Sequence, residues 1–224
     1  MPVGVIRSTV VRLSKVLSRQ GLYPFLDQQL ARLPEGVSVL NVGAGGEVEE
    51  NLKGHAGRRS FRVTSLDIDP GRGPDVVGDI AEFDPGDARF DAVVMCEVLE
   101  HVREPRQAIE KVHRLLRPGG VLILSTPFIF PLHDQPADYY RFTRHGLEWL
   151  LRDFSEVTIR ERNSWAEAIN VLWVRLIKEK NPACRLLAPL IVVLALAAAP
   201  LAWLAGRLIK TDFMTSGYVT RAVR

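Results

Sequence analysis

Ser38-Val39-Leu40-Asn41-Val42-Gly43-Ala44-Gly45-Gly46-Glu47 decides how this chain reads. An apolar run of strand character stops at a glycine-rich turn, and a polar, helix-permissive segment follows. Glycines between a strand and a helix let a ligand come close to the backbone, and the helix N-terminus then points its amides at that ligand. The same turn also occurs for packing alone. The spacing is Gly-x-Gly-Gly rather than Gly-x-Gly-x-x-Gly, which counts against a dinucleotide such as NAD.

Outward from the turn, the chain alternates. Residues 37–42 read as strand one and 47–55 as a short helix. Strand two covers 61–66 and ends at Asp67-Ile68-Asp69-Pro70. A brief strand three, 75–78, ends at Asp79, and strand four is Phe90-Asp91-Ala92-Val93-Val94-Met95-Cys96. Ala108, Ile109, Val112, Leu115 and Leu116 mark one face of a helix over 104–116. Arg117-Pro118-Gly119-Gly120 breaks it before strand five, 121–125. Thr143 caps a helix to 152, strand six is 156–160, and 216–223 is a last strand. Strands separated by helices imply right-handed crossovers and a parallel sheet, and continuous Val/Ile/Leu runs fit strands buried on both faces.

The flanks differ in character. Residues 5–17 carry apolar side chains at 6, 10, 13 and 17 with basic residues between them. That pattern suits either a solvated helix on the core or an arm on an anionic membrane surface. A second short helix covers 23–33. Between strand six and the last strand, 165–177 is apolar with a helical period, and 186–206 holds no charge between Arg185 and Arg207. Length and apolarity nominate a membrane helix, with Pro189 and Pro200 inside it. A single span would leave the last strand on the wrong side. A hairpin dipping into one leaflet, or two helices covering an apolar face, would not.

The 224 residues suffice for one α/β domain with an appendage, and a net charge of +3 is too small to argue for nucleic acid. Cys96 and Cys184 have no second Cys or His at metal-ligand spacing, so neither a metal centre nor a disulfide is expected, and a reducing compartment is. Residues 1–21 show no secretory signal pattern.

Acids at two further strand tips extend the turn. Asp67 lies where a carboxylate can accept from ribose hydroxyls, with Asp69 as the fallback. Its plain alternative is a turn-forming Asp before Pro70. Asp79 could accept from an exocyclic amine of a base while Ile80 packs on its face.

Val-Leu-Asn-Val-Gly-Ala-Gly-Gly, Leu-Asp-Ile-Asp-Pro, Gly-Asp-Ile, Phe-Asp-Ala-Val-Val-Met-Cys-Glu-Val-Leu-Glu-His-Val and Leu-Leu-Arg-Pro-Gly-Gly-Val-Leu-Ile-Leu-Ser-Thr-Pro fall in order. Together they resemble class I S-adenosylmethionine-dependent methyltransferases of the type 11 branch, over about residues 37–160. The resemblance implies an α/β, Rossmann-like seven-stranded sheet in order 3-2-1-4-5-7-6. Its last strand is antiparallel, helices lie on both faces, and an apolar helical insertion precedes the last strand. It implies S-adenosylmethionine as cofactor, bound by Asn41, Gly43, Gly45, Asp67, Ile68, Asp79, Ile80 and Cys96. Gly43 and Gly45 would approach the methionine part, Asp67 the ribose, and Asp79 with Ile80 the adenine. Cys96 and Glu97 would face the sulfonium. Asn41 stands where the family often has Asp or Glu, so it brings no negative charge to the cationic ligand.

Methyl transfer from a sulfonium needs alignment first, and a base only if the acceptor must lose a proton. The candidates are Glu97 and His101, one helical turn apart, and His133 and Asp134 in the loop after strand five. His133, Asp138, Tyr139 and Arg141 lie in a loop leaving the carboxyl end of strand five, where open α/β sheets bind ligands. That loop resembles a Pro-Phe…His…Pro-x-Asp-Tyr-x-Arg-x-Thr pattern of some type 11 members. It is expected to be lid and acceptor wall, against a purely structural lid held by an Asp138–Arg141 pair. His55, His113 and His145 read as surface residues. The expected organisation is N-terminal helices over 1–34, a cofactor-binding core over 35–162 and 211–224, and an apolar insertion over 163–210. The expected activity is methyl transfer to a small-molecule or lipid- or glycan-linked acceptor, in the cytoplasm or at its membrane face. Membrane contact would run through 165–210 and the basic N-terminal helix. The alternative is a non-catalytic cofactor-binding or interaction protein on the same fold.

Overall fold

The computed structural model describes residue 15, residues 17–179 and residues 181–224. The basic helix expected over 5–17 lies almost wholly outside the described residues. The chain divides into two compact units, one of 23–128, 132–160 and 218–224, the other containing 129–131 and 161–217.

The first unit is built on a seven-stranded sheet in order β3-β2-β1-β4-β5-β7-β6. Its strands are β1 (Ser38–Val42), β2 (Arg62–Asp67), β3 (Val76–Val77), β4 (Phe90–Cys96), β5 (Leu116–Pro127), β6 (Glu156–Glu161) and β7 (Gly217–Val223). Its helices are α1 (Leu22–Arg32), α2 (Gly46–Arg59), α3 (Pro105–Leu115) and α4 (Arg144–Leu150). β1 pairs in parallel with β2 and β4, and β4 with β5. β7 is antiparallel to β6. Ser155 N, just before β6, donates to Val223 O at the end of β7, and Arg162 N, just after β6, donates to Gly217 O at its start, each at 2.8 Å. The middle of the sheet is shut from solvent on both faces: Val39, Leu40, residues 92–95 and residues 122–124 are fully buried. That burial is why these strands are unbroken apolar runs rather than alternating ones.

Two sequence expectations change here. Residues 117–120 do not separate α3 from β5. The strand begins at Leu116, and the register steps from Phe90↔Leu116 to Ala92↔Val121. Four residues thus bulge out of the ladder, with Gly119 at φ +76°, the left-handed geometry that a bulge hands to glycine. His55 is not a surface residue. It shares the inward face of α2 with Glu49 and Leu52, and its Nε2 sits 3.0 Å from Asp27 Oδ1. His113 is half-buried edge-on to Phe154, whereas His145 is exposed as read.

The second unit centres on two antiparallel helices, α5 (Trp165–Arg175) and α6 (Pro182–Leu208). Ser164 caps α5 in a reciprocal capping box with Glu167. The start of α5 meets the end of α6: Trp165 Nε1 donates to Ile209 O at 3.1 Å. Further along, Asn170 Nδ2 donates to Ala195 O at 2.9 Å. Residues 182–208 form one helix through Pro189 and Pro200, of about 40 Å at 1.5 Å per residue. Only Val192 and Ala195 of it are buried, while Leu186, Leu190, Val193, Leu194, Leu201 and Leu204 are exposed.

Candidate cofactor and acceptor site

The glycine turn is held open by its own backbone. Gly43 has φ +91° and its amide donates to Leu66 O at 2.8 Å, tying β1's tip to β2. A Cβ at Gly43 would lie 2.5 Å from Val98 Cγ2, so the position needs glycine for its dihedral and for the close approach of the β4 turn. Gly45 (φ +80°) and Gly46 (φ +72°) continue the left-handed run into α2. Asn41 lies under the turn, fully buried. Its Nδ2 donates to Gly43 O at 3.3 Å, and its Oδ1 makes no hydrogen bond. A buried acceptor left over beneath a glycine cradle fits a ligand that brings positive charge or donors.

Asp67 is buried at the tip of β2. Its Oδ2 accepts from Ala44 N at 2.7 Å and its Oδ1 from Asp69 N at 2.8 Å, with Arg72 Nε 3.8 Å away. Asp67 therefore does what a turn Asp does and also ties strand two to the glycine turn, keeping lone pairs on both oxygens for hydroxyl donors. Asp69 faces solvent and caps the turn Pro70–Arg72 through Gly71 N at 2.8 Å. Asp79 is half-buried, and its Oδ1 accepts from Ala81 N at 2.9 Å.

Ile80 departs from expectation. It is 3% exposed and packed in the core, so it presents no face to a base. The apolar surface at the strand tips belongs to Ile68, 72% exposed, one residue beyond Asp67. The burial follows from Asp79 nucleating a turn, with Glu82 N and Phe83 N returning to Asp79 O, which rolls Ile80 inward.

At the end of β4, Cys96 is buried and Glu97 adopts φ +57°, an uncommon conformation for a non-glycine residue. Two bonds to β5 hold it there: Glu97 N donates to Ser125 O at 3.0 Å, and Ser125 Oγ donates to Glu97 Oε1 at 2.9 Å. The next turn, Leu99–His101, carries Glu100, whose side chain is fully buried. The loop after β5 folds back onto this turn. Tyr139 N and Tyr140 N donate to Glu100 O at 2.9 and 3.2 Å, and His101 Nδ1 hydrogen-bonds to Ala137 O. His133 and His101 meet edge to face with ring centres 4.8 Å apart, and each Nε2 points at Glu100 Oε1, at 3.7 and 3.6 Å.

The loop's own frame is Asp138. Its carboxylate takes His133 N at 2.8 Å and a bidentate pair from Arg141 at 2.6 and 2.7 Å. The Arg141 guanidinium holds the Asp138 carboxyl down at about 2 against the opposing effect of burial. With its side chain 2% exposed, Asp138 positions its neighbours rather than touching an acceptor, whereas Arg141, its partner, is 21% exposed. This corrects the expectation that Asp138 contacts the acceptor. Tyr139, 41% exposed with its hydroxyl accepting from Arg103 Nε at 3.1 Å, keeps a surface to offer. Burial pushes His133 down, but the nearby Glu100 carboxyl, then Asp138 and Asp134, leave it raised. Burial pushes the Glu100 carboxyl up.

The structure thus gathers Glu97, His101 and His133 around one group absent from the candidate residues, Glu100. Its sequence signal was an acid between Leu99 and Val102, where every apolar neighbour faces the core.

Residues 16–168 match a family model described as a methyltransferase domain. The chain is 31% identical over 134 residues to a ubiquinone biosynthesis O-methyltransferase of Pseudomonas paraeruginosa, covering 52% of this chain and 53% of that protein. It is 37% identical over 136 residues to the protein of that name from Xanthomonas oryzae pv. oryzae, covering 51% and 55%. The chain spans about half the length of these curated relatives. Among solved structures, a SAM-dependent methyltransferase from Archaeoglobus fulgidus superposes with TM-score 0.60 at 14% identity, over 91% of this chain and 93% of that one. Haemonchus contortus phosphoethanolamine N-methyltransferase 2 in complex with S-adenosyl-L-methionine superposes with TM-score 0.59 at 13% identity, over 90% and 52%. At such identities these likenesses speak for the fold. The order 3-2-1-4-5-7-6, the glycine cradle joined to the acid of β2, and the match over most of the chain agree. The chain belongs to the class I S-adenosylmethionine-dependent methyltransferase family, and S-adenosylmethionine is its cofactor.

Proposed function

We propose that this chain methylates an oxygen of a small-molecule or lipid-linked acceptor at the cytoplasmic face of a membrane. The carrying observation is that the carboxyl ends of β1, β2 and β4 bring together two unlike polar sets. One is the Gly43–Gly46 cradle joined to Asp67; the other is the cluster of Glu97, Glu100, His101 and His133. The cofactor supplies an activated methyl group on a sulfonium. Gly43 and Gly45 let its methionine part approach the backbone, Asp67 accepts from the ribose, and Ile68 covers the adenine that Asp79 also reaches. Glu97, fixed by Ser125, and the two histidines line the acceptor side and receive the proton that a hydroxyl sheds. The names of the curated relatives support oxygen as the acceptor atom.

The membrane part of the reading is supported by α6. Its exposed face is apolar along most of its length, and residues 180–211 include Lys180, Arg185, Arg207 and Lys210 but no acid. Trp203 lies under the Arg207 guanidinium at 4.0 Å, an arrangement suited to the headgroup level. Cys96 and Cys184 are thiols outside any disulfide, which fits a reducing compartment.

The test is transfer of labelled methyl from S-adenosylmethionine to a panel of phenols and hydroxylated lipids, with and without anionic vesicles. Labelled ether product is expected, faster with vesicles. Cofactor binding with no transfer across the panel would overturn the enzymatic reading. Equal partition of the full chain and of a chain with 165–210 cut to a short loop would overturn the membrane reading.

A further inference from the structure

Three ligand-type side-chain atoms converge at the turn after β4, one each from Glu100, His101 and His133. Glu100 is fully buried, and neither of its carboxylate oxygens makes a hydrogen bond. Oε1 faces His101 Nε2 at 3.6 Å and His133 Nε2 at 3.7 Å, both beyond hydrogen-bond length. For His101, the far nitrogen fixes which near atom carries the lone pair of the neutral ring. His101 Nδ1 bonds the carbonyl of Ala137, which can only accept, so the proton sits on Nδ1. His133 Nδ1 lies 3.4 Å from Asp138 Oδ2 without a hydrogen bond between them. Both Nε2 atoms thus face the same carboxylate oxygen.

We propose that Glu100, His101 and His133 form a binding site for one divalent transition-metal ion. The three donor atoms lie within 4.8 Å of one another. Ligands about 2.0–2.2 Å from a tetrahedral ion stand about 3.3–3.6 Å apart, close to the two N···O separations. His101 already has the partner that metal-bound histidines keep on their other nitrogen, a backbone carbonyl, and the Asp138 carboxylate stands 3.4 Å from the other nitrogen of His133. Two imidazoles with one carboxylate select zinc-like ions over magnesium or calcium, which take sets rich in oxygen. Glu100 is sealed, but His101 and His133 are 21% and 23% exposed, so the fourth position opens on the imidazole side, to water or an oxygen of a bound molecule. Sequence spacing could not reveal the set, because its third member comes from the far side of β5. With the ion bound the two imidazoles take no proton, which leaves Glu97 as the group that does; the site itself does not depend on the proposed methyl transfer and is tested without it.

The experiment uses the full chain, stripped with a chelator and freed of any purification tag. Zn2+ is titrated by calorimetry, and Co2+ by visible absorption, where an intense band reports tetrahedral nitrogen and oxygen ligation. One equivalent is expected. Glu100→Gln and His133→Gln should each weaken it at least about tenfold, since loss even of a supporting residue costs that much. Exposed His145→Ala, and Cys184→Ser, should leave it unchanged. S-adenosylmethionine binding by each variant checks that the sheet is folded. Folded protein that takes up no stoichiometric Zn2+ or Co2+ would overturn the site. So would uptake unaltered by both Glu100→Gln and His133→Gln, or abolished by Cys184→Ser.

Discussion

Replacing Gly43 by alanine strains the cradle in two separable ways. At φ +91° an L side chain costs about 1–2 kcal/mol on dihedral grounds alone. The new Cβ would also meet Val98 Cγ2 at 2.5 Å, roughly 1 Å inside contact, and overpacking of that kind costs about 1–3 kcal/mol. Gly43→Ala should therefore destabilise by about 2–5 kcal/mol in total. Val98→Ala removes the colliding methyl and leaves the dihedral untouched. Val98 is only partly buried, so alone it should cost about 1 kcal/mol. In that background Gly43→Ala should cost only the dihedral part. Urea denaturation of the four proteins closes a double-mutant cycle with an expected coupling of about 1–3 kcal/mol in favour of the double variant. A coupling below about 0.5 kcal/mol, the usual limit of additivity, would refute the close approach of the β4 turn to the glycine turn.

Three further outcomes follow from named contacts. Asn41→Asp should lower stability by about 1–3 kcal/mol, since it sets a buried charge against Gly43 O, yet raise preference for cationic S-adenosylmethionine over neutral S-adenosylhomocysteine. Calorimetry giving an unchanged ratio would remove Asn41 from the sulfonium's neighbourhood. Asp138 titrates at about 2 in the fold against 3.8 for the free group, worth about 2 kcal/mol. Because the folded value is the lower one, that stability is present above pH 4 and is lost as pH falls towards 2. The stability gap between wild type and Asp138→Asn should close over that window, and a gap independent of pH would contradict the pair. Gly206→Ala should loosen the α5–α6 pair, because its Cβ would fall against the Ser164 Oγ and Cβ that cap α5. Proteolysis between residues 176 and 182 should quicken, and unchanged cleavage would argue against that contact.

Much of the sheet could be read from the chain because its signals are local. Residues 38–42, 90–96 and 121–125 are apolar runs that only a strand buried on both faces explains, and the glycines after Val42 mark a turn by their dihedrals alone. Residues 117–120 misled because Pro-Gly-Gly reads as a break, whereas pairing with β4 lets the strand absorb the extra residues as a bulge. Ile80 and Ile68 exchanged roles for a similar reason. Whether an isoleucine beside a strand tip faces solvent depends on the turn its neighbour nucleates, and Asp79 turned Ile80 inward. Glu100 escaped notice because burial is set by the loop that closes over it, and Tyr139, Tyr140 and Ala137 arrive from nearly forty residues away. Asp138 and Arg141 were grouped correctly as a pair, but only the side-chain geometry shows that the Asp138 carboxylate is buried and also holds His133 N.

The central claim is that the Gly43–Gly46 turn, joined to β2 through Asp67, is the seat of the cofactor. Calorimetric titration of S-adenosylmethionine into the full chain and into Asp67→Ala tests it most directly. The account predicts one saturable site in the wild type, weakened in the variant by about 1–3 kcal/mol, or about 5- to 150-fold. No heat from folded wild-type protein, or the same affinity in Asp67→Ala, would contradict it.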